Sequence, residues 1–195
     1  MIQGENMINY PNGKKHKQSA IKTNTAGRGM TLENDLNTSN AYFLQENIAN
    51  IHKKPTPIQI VNVDYPKRSA AKITEAYFKL QSTTDYNGVY KGKAIDFEAK
   101  ECAGKSFPLK SIHQHQIKHL ESVIHHGAIA FVIIRFTKID VTFFVKASDI
   151  INIYKNQDNS RKSIPYQWFC DNCITIPFNL LVPVNYIKVL DTLYF

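Results

Sequence analysis

The chain has 195 residues, 43% hydrophobic and 21% charged, which is enough for one compact domain with a proper core and too few for several. Against 16 Asp and Glu stand 24 Lys and Arg, and the resulting net charge of +8 points to a polyanionic partner, of which nucleic acid is the commonest. Three cysteines exclude a disulfide scaffold, and no apolar run reaches the length and purity of a transmembrane helix.

Residues 1–28 are polar and basic, with Lys14, Lys15, Lys17, Lys22 and Arg28 set against Glu5 alone. They read as a flexible basic N-terminal arm able to contact phosphates. Gln3, Gly4, Glu5 and Asn6 interrupt any apolar signal-peptide core, so the chain reads as cytoplasmic, with no membrane partner. Residues 31–52 carry helical spacing through Leu32, Leu36, Phe43, Leu44, Ile48 and Ile51, until Pro55 and Pro57 stop the pattern. Glu33 sits in the first turn, where a carboxylate complements the helix dipole. Residues 58–64 alternate as a strand, Tyr65-Pro66-Lys67-Arg68 turns the chain, and residues 70–80 suit either helix or strand.

Thr83-Thr84-Asp85-Tyr86-Asn87-Gly88 follows, with Asn87-Gly88 and Gly92 as permissive turn positions before a strand-like run, residues 94–100. Pro108 precedes a helix over about 109–126, with Ile112, Ile117, Leu120 and Ile124 on its apolar side. Gly127 ends it, and residues 128–136 form the continuous β-rich run of a central buried strand. Residues 141–145 pair with that strand as a hairpin, and Ser148 caps a short helix to Tyr154. The remainder, around Trp168, Ile174 and Tyr186 to Phe195, is short and mixed. The order of elements predicts an α/β or α+β fold with a mixed sheet.

The chemistry lies in Asp85 and in Ala94-Ile95-Asp96-Phe97-Glu98-Ala99-Lys100. Strand alternation puts Asp96, Glu98 and Lys100 on one face and the apolar Ile95, Phe97 and Ala99 on the other. Carboxylates hold a hard divalent cation, and an ammonium beside them can orient water or offset phosphorane charge. The bland account is real: an Asp before Asn-Gly is an ordinary turn residue, and Glu and Lys two apart are unremarkable on an exposed strand. A central strand, however, does not carry such a triplet without partners. Cys170-Asp-Asn-Cys173 lacks a second ligand pair, so its default is two small buried or half-buried residues. Tyr65 and Tyr86 are read as packing residues rather than base-stacking ones.

Asp85 with Glu98-Ala99-Lys100 has the form of the PD-(D/E)xK nuclease signature, with Thr84 where the looser consensus has proline. Longer strings resemble the RecU-type Holliday junction resolvases: Arg28-Gly-Met-Thr-Leu-Glu33, Asp64-Tyr-Pro-Lys-Arg-Ser-Ala-Ala71, Thr83-Thr-Asp-Tyr-Asn-Gly88, Ile95-Asp-Phe-Glu-Ala-Lys100, and Phe107-Pro-Leu109 with His113-Gln-His-Gln116. The similarity runs from about residue 8 to the C-terminus. It implies an α/β fold, a restriction-endonuclease-like nuclease core with a mixed central β-sheet flanked by helices, over residues 29–195. A stalk of about 62–82 projects from it.

The resemblance also implies roles. Thr83, Asp85, Glu98 and Gln116 match the magnesium-binding positions, with Mn2+ as a substitute for Mg2+, and Lys100 matches the lysine that stabilises the transition state. Gln116 comes one residue sooner after Glu98 than in some relatives, which leaves Gln114 as its competitor. His113 and His115 are helix-face or DNA-facing residues, because magnesium prefers oxygen. Glu33 matches an acid that joins the site in archaeal relatives, an alternative to the cap-and-dipole role that is its first reading. Asp96 is assigned a local hydrogen bond or salt bridge. Arg28, Lys67 and Arg68 are the expected DNA contacts.

The implied function is magnesium-dependent resolution of four-way junctions by paired symmetric nicks, in homologous recombination and DNA repair. A C2 homodimer supplies two sites with the junction's symmetry, and the RecA recombinase is a further implied partner. The rivals are another PD-(D/E)xK nuclease, of restriction or repair, and a non-catalytic junction-binding factor.

Overall fold

The computed structural model describes residues 31–79, 82–156 and 162–195. The expected basic arm, Arg28 included, lies outside the described residues. Helix α1 (Leu32–Gln45) begins where its sequence predicts, with the Thr31 hydroxyl accepting the Asn34 N–H at 3.3 Å. It does not reach residue 52. Asn47 takes the left-handed conformation (φ 55°) and Ile48 N–H returns to the Phe43 carbonyl at 2.8 Å, the closing pattern that Asn tolerates better than most residues. The spacing at Ile51 belongs instead to strand β1 (Asn50–Lys53), where Ile51 is buried.

Strands β2 (Ile58–Asp64) and β3 (Lys72–Phe78) pair antiparallel in a two-stranded ribbon of their own, with register slips between Ile60 and Val63. Every residue of both strands is exposed. The ambiguous stretch 70–80 is therefore extended from Lys72 onward. Tyr65, Lys67 and Arg68 sit exposed on the connection. That overturns the packing assignment for Tyr65 but not for Tyr86, which is buried.

Strands β4 (Tyr86–Tyr90) and β5 (Lys93–Cys102) form a hairpin whose turn is Lys91-Gly92, both with positive φ. Asn87-Gly88 is not a turn; it lies inside β4. Glycine is needed there for closeness, since a Cβ at Gly88 would stand 2.1 Å from the Asn50 carbonyl oxygen of β1.

Strand β6 (Ser106–Pro108) and a 3-10 turn (Leu109–Ser111) lead to helix α2 (Gln114–His125). This helix starts later than residue 109 because Ile112 and His113 are extended. Gly127, at φ 86°, ends it. Strand β7 (Ile129–Phe136) is buried at every position and runs parallel to β5, while β8 (Val141–Lys146) returns antiparallel to β7. Helix α3 (Ala147–Lys155) follows directly; Ser148 lies inside it, and Lys146 occupies the cap position. Strand β9 (Ser163–Pro165) pairs with β6, helix α4 (Tyr166–Asn172) leads to β10 (Ile174–Ile176) on β8, and helix α5 (Tyr186–Tyr194) closes the fold.

The main sheet has the order β1-β4-β5-β7-β8-β10 and is mixed, with helices on both faces, as expected. One core packs Leu36, Phe43, Phe97, Phe131 and Tyr186, joining α1 and α5 to the sheet. The other packs Ile117, Leu120, Val132, Ile134, Ile150 and Phe169 under α2, α3 and α4. Arg135 of β7 ties α1 down through Asp35 at 2.5 Å and also donates to Thr142 Oγ1 at 3.0 Å. Breaking such a buried pair typically costs about 3–5 kcal/mol.

The three cysteines are free. Cys170 is exposed, against the buried or half-buried expectation, while Cys173 is half-buried. Burial first, then the charges of Asp149 and Cys170, push the Cys173 thiol up to about 12, which leaves it without thiolate character at neutral pH. Among the described residues no helix is long and apolar enough to cross a membrane.

Candidate active site

Strand β5 lies between antiparallel β4 and parallel β7 and carries the alternation its sequence predicts. Ile95 and Phe97 enter the α1 core, and Ala99 packs against it. Asp96, Glu98 and Lys100 share the opposite face with Ala130, Val132 and Ile134 of β7, towards α2. Glu98 is fully buried, and its Oε1 stands 2.6 Å from the Lys100 ammonium. That contact is an ion pair without hydrogen-bond alignment, since Oε1 has no hydrogen-bonding partner among the described residues.

Asp85 sits just ahead of β4, in the bend that follows Thr84. Its backbone N–H donates to Glu98 Oε2 at 3.2 Å, which brings the two carboxyl groups together. Burial first, then the contact with Asp85, lift the Glu98 carboxyl from its ordinary 4.5 to about 8, against the pull of Lys100. The pair is electrostatically unsatisfied as it stands. A buried acid whose Oε1 has no hydrogen-bond partner among the described residues, with a second acid beside it, supplies oxygen donors that suit a hard divalent cation. Magnesium characteristically takes one or two carboxylates and completes its shell with water and substrate phosphate. No group of three or more His, Cys, Asp or Glu gathers among the described residues.

Gln116 is buried on α2, and its Oε1 accepts the His113 N–H at 3.0 Å, closing the first turn of the helix. Gln114, its competitor, is exposed. The Thr83 hydroxyl, half-buried, donates to the Thr84 carbonyl at 3.3 Å. His113 and His115 stack with ring centres 5.5 Å apart. Burial first, then the charges of His113 and Lys100, lower the pKa of His115, which places it in the field of the site's lysine.

Glu33 pairs with Lys53 at 2.6 Å in the first turn of α1. It belongs to the same field as the carboxylate pair. The Tyr86 phenol is held protonated by burial first and then by the charges of Glu33, Asp85 and Glu98.

Asp96 makes the local contacts assigned to it. Its Oδ2 lies 2.9 Å from Lys54 Nζ, its Oδ1 accepts the Thr84 hydroxyl, and His119 Nε2 approaches Oδ1 at 3.2 Å. Lys54, Thr84 and His119 were not legible as site neighbours. Only His119 left a signal, one helical turn beyond His115 on α2. Glu101 was also missed: it accepts the Leu32 N–H at 2.7 Å and so fastens the start of α1 to β5.

The family model described as recombination protein U matches residues 27–192. The chain is 52% identical over 196 residues to the Holliday junction resolvase RecU of Geobacillus kaustophilus (strain HTA426), covering 96% of this chain and 98% of that protein. It is 50% identical over 200 residues to the protein of the same name from Oceanobacillus iheyensis (strain DSM 14371 / CIP 107618 / JCM 11309 / KCTC 3954 / HTE831), covering 96% and 100%. Among solved structures, the Holliday junction resolvase Hjc of Archaeoglobus fulgidus aligns with a TM-score of 0.36 at 10% identity, covering 63% of this chain and 78% of that one.

Proposed function

We infer that this chain, which belongs to the recombination protein U (RecU) family, resolves Holliday junctions as a structure-selective endonuclease in recombination and repair. The observation that carries the chemistry is the contact between Asp85 and the buried, half-satisfied Glu98, with the Lys100 ammonium 2.6 Å from the free oxygen. Asp85 and Glu98 would hold Mg2+ (or Mn2+), with Thr83 and Gln116 as further oxygen donors. Bound there, the cation supplies an acidified water and polarises the scissile phosphate. Lys100 offsets the negative charge that grows on the phosphorus centre and is kept in place by its ion pair with Glu98. Glu98 must shed its proton before it can hold a cation, so the site favours neutral to alkaline pH. Gln116 links the site to the start of α2 through His113.

Two such sites related by a two-fold axis match the symmetry of a four-way junction, which makes a C2 homodimer the working form. The β2–β3 ribbon is the stalk of this reading, carrying Lys67 and Arg68 to DNA phosphates. Arg28 in the basic arm adds a further backbone contact. The protein acts in the bacterial cytoplasm, with the RecA recombinase as a second partner.

The test is cleavage of a mobile four-way junction in Mg2+, with both strands labelled. Paired symmetric nicks, absent on linear duplex, are the expected result. Equal cutting of both substrates would return the chain to general nuclease chemistry, and binding without cutting in any divalent cation would make it a junction-binding factor. The stalk has its own check. Replacing both Lys67 and Arg68 with Ala should weaken junction binding and flatten the slope of log K against log salt by roughly 1–2 units, about 0.9 for each phosphate that is no longer neutralised. An unaltered slope would remove the ribbon from the DNA interface.

A further inference from the structure

Beside the carboxylate pair lies a second polar cluster that the hydrolysis does not use. Lys54, the residue after β1, turns its side chain inward. Its ammonium donates to Thr84 Oγ1 at 2.9 Å and to Asp96 Oδ2 at 2.9 Å. The Thr84 hydroxyl donates onward to Asp96 Oδ1, and His119 Nε2 stands 3.2 Å from that same oxygen. The backbone N–H of Lys54 donates to the Asp85 carbonyl at 2.8 Å. Thr84 and Asp96 are both buried, so little water is available to substitute for any of these partners. One residue thus grips Asp85 by its carbonyl, the residue before it by its hydroxyl, and the strand of Glu98 by Asp96.

We propose that Lys54 is a positioning residue for the cation site: its double grip holds the Asp85 bend against β5, so that the Asp85 and Glu98 carboxyl groups remain together. This rests on the reading of Asp85 and Glu98 as the cation ligands. Asp85 stands one residue ahead of β4, held by two backbone bonds, to Lys54 N–H and to Glu98 Oε2, and the side-chain grip on Thr84 and Asp96 fixes the rest of the bend against β5. Thr84 fits this reading. It stands where the looser nuclease signature carries proline, whose ring limits the chain ahead of the aspartate covalently. Here a buried hydroxyl, bonded to the half-buried Lys54 and the buried Asp96, supplies the restraint by hydrogen bonds. The clamp acts on cation affinity rather than on the chemical step, as partners behind metal ligands do.

The experiment is a Mn2+ titration of the full-length protein, without DNA, followed by electron paramagnetic resonance of the free ion. Lys54→Met should raise the Mn2+ dissociation constant about ten- to a hundredfold. The Mg2+ concentration for half-maximal junction cutting should rise by a similar factor, with the rate at saturating Mg2+ largely recovered. Thr84→Val keeps every charge and provides a second variant if Lys54→Met does not fold; it should weaken Mn2+ binding in the same direction. Glu98→Gln is the control for the site itself. If Glu98→Gln weakens Mn2+ binding while Lys54→Met or Thr84→Val leaves it at the wild-type value, the positioning role is overturned and the cation site stands. If Glu98→Gln binds Mn2+ as wild type does, the cation-site reading fails and this proposal with it. A lowered rate at saturating Mg2+ with unaltered Mn2+ affinity would also overturn it.

Discussion

Glu98→Gln should abolish junction cutting and, in the absence of metal, make the protein more stable than wild type at alkaline pH. The two effects have one origin. Glu98 is wholly buried, and its carboxyl is lifted from 4.5 to about 8, chiefly by burial and then by Asp85. Between those values the folded chain holds a proton that the unfolded chain has released. Stability from this group is therefore fully present below about pH 4.5 and is lost as pH rises through about 8. The full loss is at most roughly 5 kcal/mol, the rise from 4.5 to about 8 at about 1.36 kcal/mol per pKa unit. Glutamine keeps the shape and removes the titration. Urea unfolding at pH 5, 7 and 9 in EDTA should show the variant overtaking wild type as pH rises, and a gap that closes instead would contradict the assignment. Adding Mg2+ should stabilise wild type and leave the variant unmoved. Single-turnover cutting should fall by more than about a hundredfold, the upper range for partners that only support a ligand.

Lys100→Met should lower the cutting rate by about 10²–10³, the usual loss when a preorganised donor to developing charge is removed. Junction affinity measured without divalent cation should stay near wild type, because the side chain acts on the reacting phosphate. A second consequence separates this from mere disruption. Lys100 is what holds the Glu98 carboxyl down against burial and Asp85. Without it that carboxyl titrates higher still, and the alkaline rise of the pH–rate profile in Mg2+ should move to higher pH. A profile of unchanged position would show that Lys100 does not act on Glu98. A shift to lower pH would contradict the ion pair altogether.

Much of the central sheet was legible because its sequence signals are local. The alternation of Ile95, Phe97 and Ala99 with Asp96, Glu98 and Lys100 predicts the two faces of β5, and the unbroken apolar run predicts the fully buried β7. The errors arose where one residue served a neighbour distant in sequence. Asn87-Gly88 has the composition of a turn, yet Gly88 is small because the β1 backbone lies against it. The helical spacing through Ile51 ignored the left-handed Asn47 that ends α1. Within the candidate site, Asp85, Glu98 and Lys100 were within reach of motif reasoning. The clamp of Lys54, Thr84, Asp96 and His119 was not, since its members come from separate elements and share no spacing.

Among the described strand pairs β5 and β7 alone run parallel, and the chain between them passes through β6 and α2. An antiparallel hairpin such as β4–β5 closes over a two-residue turn and forms early, whereas a crossover of this length must first meet the entropy of closing a long loop. Contact order thus predicts that the hairpin joining Asp85 and Glu98 forms before β7 and α2 cover Glu98, an order that φ-values of about 1 in β4–β5 and about 0 in β7 would show. On that order the two acids meet while water still surrounds them, and the burial that lifts the Glu98 carboxyl to about 8 comes later.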